Sequence, residues 1–209
     1  MNNINAFLKL KAYEKRISVN ELAKLTNKSQ SYISRILNNQ ITYSSENRTF
    51  KQICHFLDIK EKDLQLNTDS LKKDYYFFIN ESCFQSDKQE FYYQKITSQK
   101  QNFKNTPGII YIYLTQIIYK GLKSSSISTL IFEQIIKKLL FIYQALENED
   151  QQILSVFFAS YLNKSSQYQL AKNYINKFNT RDCTNLSILT MYYYYAFGIY
   201  SHLNESNQS

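Results

Sequence analysis

The sequence predicts an all-α protein. Three observations carry that reading: apolar residues recur at three- and four-residue intervals in segment after segment, no stretch alternates cleanly like a strand, and the 209 residues include only three glycines and one proline. That length has room for one or two domains, each able to bury a core. Composition divides the chain near residue 67. Of the 33 Tyr and Phe, 27 lie after Leu66, while the formal net charge of +8 is concentrated before it, where eleven Lys and Arg face six Asp and Glu. A basic balance favours a polyanionic partner but is a weak sign by itself.

The first helix carries Phe7, Leu10 and Tyr13 as its apolar stripe, with Lys9, Lys11 and Lys15 beside it. Arg16 and Ile17 lead out, and Ser18-Val19-Asn20-Glu21 then matches the capping box, in which the Ser hydroxyl bonds the Glu amide and the Glu side chain reaches back. Leu22, Ala23 and Leu25 form the expected buried side of this second helix. Thr26, Asn27 and Lys28 make a short turn, where Asn27 takes a left-handed backbone at less cost than a branched residue.

The stretch 28–39, KSQSYISRILNN, reads as the next helix, capped by Ser29 and ended by Asn38-Asn39. Tyr32, Ile33, Ile36 and Leu37 recur at helical spacing, which leaves Gln30, Ser31, Ser34 and Arg35 on another face. Amide, hydroxyl and guanidinium groups on one side of a rigid rod suit the donor and acceptor edges of bases in the major groove. The face carries no acid. After a polar loop, QITYSSEN, a fourth helix follows from Arg48 with Phe50, Ile53, Cys54 and Leu57 apolar, and Ile59, Leu64 and Leu66 suggest a short fifth.

The run ISVNELAKLTNKSQSYISRILNN, with the segment from Phe50 to Leu64, resembles the Cro/repressor-type (XRE) helix-turn-helix family over about 55 residues. The resemblance implies a five-helix, lambda-repressor-like domain over residues 1–66 that binds double-stranded DNA. By position, Gln30, Ser31 and Arg35 correspond to base-reading residues, with Ser34 on the same face; Ser29 and Asn38 correspond to phosphate contacts, and Lys28 and Arg48 add basic groups beside them. Two positions depart from the family: Val19 stands where many relatives have Gln, and Asn39 where Gly is common.

Residues 67–209 also read as helical, with candidates at 71–79, 87–104, 109–122, 128–147, 150–163, 166–178 and 184–204. The apolar run GIIYIYLTQIIYKGL is too short to span a bilayer and is interrupted by Thr115 and Gln116, so it is expected to be a buried core helix. In the segment 166–178, Tyr168, Leu170, Ala171, Tyr174, Ile175 and Phe178 are expected to face inward. The last three candidates show antiparallel-pair spacing at about 33 residues, near the tetratricopeptide period. The segment YQLAKNYINKF and the aromatic helix after it resemble the helical half of the Rgg, PlcR and PrgX class of peptide-pheromone regulators, in a shorter form. That resemblance implies a homodimer whose TPR-like second domain binds a short secreted peptide and passes the binding on to DNA. Tyrosines at 192–195 could line such a groove, but spacing singles out no peptide-binding residue.

Three cysteines without a CxxC spacing fit free thiols in a reducing compartment, and no signal peptide precedes the first helix, so a cytoplasmic location without membrane attachment is expected. Catalysis has little support. Cys54 and His55 are adjacent and so point about 100° apart on a helix, and no metal or cofactor motif is present. The expected function is therefore a non-enzymatic, sequence-specific regulator reading an inverted-repeat operator under peptide control. The rival is a phage, plasmid or antitoxin-type repressor whose second domain only dimerises or grips a protein partner.

Overall fold

The computed structural model describes residues 3–84, 86–123, 130–181 and 183–206, and all regular structure in them is helical. The first five helices are α1 (Ile4–Glu14), α2 (Val19–Thr26), α3 (Gln30–Leu37), α4 (Arg48–Phe56) and α5 (Glu61–Leu64). The capping box at Ser18 is complete: its Oγ accepts from the Glu21 amide at 3.2 Å, and its own amide donates to Glu21 Oε2 at 2.7 Å. Asn27 ends α2 in the left-handed region, and Asn39, at φ 58°, takes the same conformation after α3. Asn thus serves at 39 where a glycine would be the easier choice. The inward side of α2 is Leu22, Ala23 and Thr26; Leu25, expected inside, is 47% exposed because it falls on the flank of so short a helix.

α1 is more deeply buried than its sequence stripe suggested. Ala6, Leu8 and Ala12 join Phe7 and Leu10 inside, while Tyr13 stays largely exposed. The reason is that α1 is covered on two sides. Asn5 Nδ2 donates to the carbonyls of Ile36 and Ile41 at 2.6 and 2.8 Å, fixing one side to α3 and the loop after it. The other side meets the second half of the chain.

That half comprises α6 (Asp69–Cys83), α7 (Lys88–Thr97), α8 (Lys100–Phe103), α9 (Ile109–Lys123), α10 (Leu130–Ile142) with a 3-10 turn (Tyr143–Ala145), α11 (Asn148–Lys164), α12 (Tyr168–Ile175) and α13 (Leu186–Ser206). The helix expected over 87–104 is broken at 98–99. There the Thr97 and Ser98 hydroxyls bond back to the carbonyls of Tyr93 and Lys95, offering the backbone an alternative to continuing the helix. The segment expected as one helix over 128–147 is α10 followed by the 3-10 turn, and residues 128–129 lie outside the described ones. α9 is a core helix as its run of isoleucines requires, packed against α6, α7, α10 and α11. α11 and α12 form an antiparallel hairpin that turns at Ser166, in a left-handed backbone, and α13 packs against both. On α12, Ala171, Ile175 and then Phe178 are buried, Tyr168 and Tyr174 are half-buried, and Leu170 is exposed because it lies on the side of the helix away from the hairpin.

Candidate nucleic-acid interface

The recognition helix begins at a short, defined turn. Ser29, in an extended conformation, accepts the Tyr32 amide at 3.2 Å through its Oγ, which leaves its hydroxyl proton free for another acceptor. Ile33, Ile36 and Leu37 are buried and Tyr32 is half-buried, its hydroxyl accepting from Asn47 Nδ2 at 3.4 Å. With 100° between successive residues, Gln30, Ser34, Asn38, Ser31 and Arg35 then occupy a continuous arc of roughly 140° on the opposite side. Gln30, Ser31 and Arg35 are exposed, and Ser34 and Asn38 half-buried.

Three of these side chains are held by neighbours that periodicity did not reveal. Asn20, on α2, accepts from Gln30 Nε2 at 2.8 Å, which orients the Gln30 amide and joins the amino-terminal turn of α2 to the reading face. Lys9 Nζ donates to Asn38 Oδ1 at 2.6 Å, and Asn38 Nδ2 donates to Ser34 Oγ at 3.2 Å. This chain occupies the Asn38 carbonyl oxygen and one amide donor, and partial burial holds the Lys9 ammonium below its ordinary pKa. Lys9 therefore belongs to the support of the face. Sequence separation hid it, since Lys9 and Asn38 lie 29 residues apart.

Lys28 and Arg48 come together although twenty residues separate them in sequence. Both line a cleft of about 210 Å³ with Thr26, Asn27, Thr49 and Gln52, between the α2–α3 turn and the start of α4. Asn47 caps α4 by accepting the Thr49 amide at 2.9 Å, so an ammonium and a guanidinium group sit beside a helix amino terminus. Such a setting favours a phosphate through both charge and free backbone amides.

The cysteines are poor nucleophiles. Burial pushes the Cys54 thiol up to about 11 and Cys83 to about 12. Among the described residues no cluster of His, Cys, Asp and Glu could hold a metal ion, and no helix is long and apolar enough to cross a membrane.

Neither the curated proteins nor the solved structures give a match to the chain. Residues 9–64 match the family model described as helix-turn-helix, a span that runs from within α1 to the end of α5. The match and the geometry together support a DNA-binding transcriptional regulator whose helix-turn-helix domain lies within those residues.

Proposed function

We propose that this chain is a homodimeric, sequence-specific regulator in which residues 1–66 bind DNA and residues 67–209 dimerise and sense a ligand. Gln30, Ser31 and Arg35 read base edges, with Ser34 beside them; Lys28, Ser29, Asn38 and Arg48 contact phosphate, Asn38 through its remaining amide proton. The observation that carries this reading is the polar arc of α3, free of acids and flanked by the Lys28–Arg48 cleft. A two-fold pair then reads an inverted repeat with half-sites about one helical turn apart.

Two features of the second half support its role. Leu186, Tyr193, Tyr194 and Phe197 of α13 are each more than 60% exposed and follow helical spacing, a face that no other described residues cover and that suits a second copy. A cleft of about 230 Å³ between the start of α11 and the approach to α13, lined by Glu149, Gln152, Cys183 and Asn185 over Ile153 and Ile188, has the amides and apolar floor that a short peptide needs. The alternative, a repressor whose second half only dimerises or holds a protein, rests on the same α13 face without the cleft.

Selection from random-sequence duplexes with the full chain tests the reading. Arg35→Ala should lose about 1 to 3 kcal/mol on the selected site and far less on random DNA, because a bidentate guanine contact discriminates by that much. Equal losses on both would make Arg35 a phosphate contact and displace the reading face.

A further inference from the structure

α10 runs back along α1. The Phe141 ring packs on Tyr13 with centroids 4.7 Å apart and lies under Lys9 Nζ at 5.2 Å. One turn earlier in α10, Lys138 Nζ donates to Glu14 Oε1 at 2.6 Å. Earlier still, Gln134 shares a cavity with Arg16. Because numbers fall along α10 as they rise along α1, the amino-terminal part of α10 lies at the end where α1 gives way to α2. That is the end that carries the Ser18 cap and, through Asn20, the link to Gln30.

At this junction lies an open cavity of about 550 Å³, lined by Tyr13, Glu14, Arg16, Gln134, Lys137 and Lys138. Its charge does not balance. Glu14 is shared between Lys138 and Lys11, at 2.6 and 3.2 Å, and those two cations hold its carboxyl below the usual range against the opposing effect of burial. Arg16 and Lys137 are exposed and have no carboxylate within ion-pair distance among the described residues. Arg16 also holds a left-handed backbone, φ 58°, at a position just past a helix end where glycine or asparagine is the easy residue. Two unneutralised cations, an amide and a phenol thus face one concave space.

We propose that this cavity receives a phosphate group, with the Arg16 guanidinium and the Lys137 ammonium as its ligands and Gln134 and Tyr13 as neutral donors. The phosphate belongs to the DNA backbone outside the reach of α3, so that α10 of the second half lengthens the DNA interface. The inference rests on the DNA-binding reading. A free phosphate compound offers the same chemistry, and the test separates the two sources.

The experiment measures affinity against salt for the full chain, for Arg16→Gln and for Lys137→Gln, on a long duplex carrying the selected site and on one trimmed to the half-sites. Inorganic phosphate is titrated against the same three proteins. On the long duplex each substitution should lower the slope of log affinity against log salt by roughly 0.9 for every phosphate that is no longer neutralised; on the trimmed duplex the three slopes should coincide. Unchanged slopes on the long duplex, in a wild type that binds the site, overturn the inference and leave the regulator reading intact. A wild type that selects no DNA overturns both. Saturable inorganic phosphate binding that both substitutions abolish, with DNA slopes unmoved, assigns the cavity to a free phosphate compound and overturns the DNA assignment. Both side chains are exposed, and unchanged helical content verifies that the variants fold.

Discussion

Asp150→Asn should stabilise the protein by an amount that grows with pH. Asp150 sits in the first turn of α11, is fully buried, and makes one described hydrogen bond: Oδ2 accepts from Asn3 Nδ2 at 2.6 Å, while Oδ1 has no partner among the described residues. Desolvation raises its pKa from 3.8 to about 7; Glu147 and Glu149 push the same way, and the Asn3 bond and Lys72 oppose them. The other titratable groups around it, Tyr75 and Tyr76 on α6 and Tyr111 on α9, are themselves held neutral by burial and by this charge. The sign follows from proton uptake. Between pH 4 and 7 the folded state holds a proton that the unfolded state has released, so stability falls as pH rises through that window and levels off above it.

Each pH unit between the two pKa values is worth about 1.36 kcal/mol, which makes the whole penalty about 4 kcal/mol. An asparagine carries no charge to desolvate. It can keep the bond from Asn3 through its carbonyl and turn its amide toward the side where Oδ1 now lacks a partner. Thermal unfolding from pH 4 to pH 8, at constant ionic strength, should show wild type and Asp150→Asn close together at the acid end. They should diverge by roughly 8 to 16 °C at the alkaline end, taking about 2 to 4 °C per kcal/mol for a chain of this size. A difference that does not depend on pH, or a variant that becomes the less stable one as pH rises, would refute the reasoning.

Ser18→Ala removes the acceptor of the Glu21 amide and should cost about 1 kcal/mol in chemical denaturation, and Glu21→Ala in its presence should cost more again, because the amide of residue 18 then loses Glu21 Oε2 as well. Asn20→Ala frees the Gln30 amide and should broaden the set of sites recovered by selection without altering the salt dependence. In the proposed dimer, Phe197→Asp with Tyr194→Asp should give a monomer in sedimentation at unchanged helical content; a dimer that persists would move the subunit contact away from α13, and a monomeric wild type would refute the dimer.

The parts of the fold that were legible in sequence are those whose cause lies within a few residues. The Ser18-Glu21 box, the Asn27 turn and the apolar spacing of α3, α4 and α9 each concern neighbours within one or two helical turns, and the structure has them as read. What periodicity could not reveal is how elements meet. Lys9 with Asn38, Gln30 with Asn20 and Asn3 with Asp150 pair across 29, 10 and 147 residues, and no local pattern marks such partners. The same blindness explains Leu25 and Leu170. Each is apolar at plausible helical spacing, yet whether a flank position is covered depends on a neighbouring helix, and among the described residues none covers it. Conversely α1 looked like a surface helix with one stripe, because nothing in residues 1–14 signals that a second set of helices packs on its far side.

That second packing makes α1 common to both halves. Asn5 fixes it to the backbone of α3 and the following loop, and toward its carboxyl end Tyr13 and Glu14 meet α10. At its amino end, Asn3 accepts the Glu147 amide at 2.9 Å and donates to Asp150, while Glu147 pairs with Lys72 on α6 at 3.1 Å. Any displacement of the start of α11 relative to α6 therefore bears on the helix that positions the carbonyl of Ile36, in the last turn of α3. Residues of the 230 Å³ cleft, Asn148 and Glu149, are the immediate neighbours of Glu147 and Asp150 in that same turn. A ligand seated there can alter DNA affinity only if it prefers one arrangement of this turn over another, since equal affinity for two arrangements shifts nothing. The clip at Asn3 ties this turn to α1 through hydrogen bonds that tolerate little displacement, and so offers one direct route for such a preference.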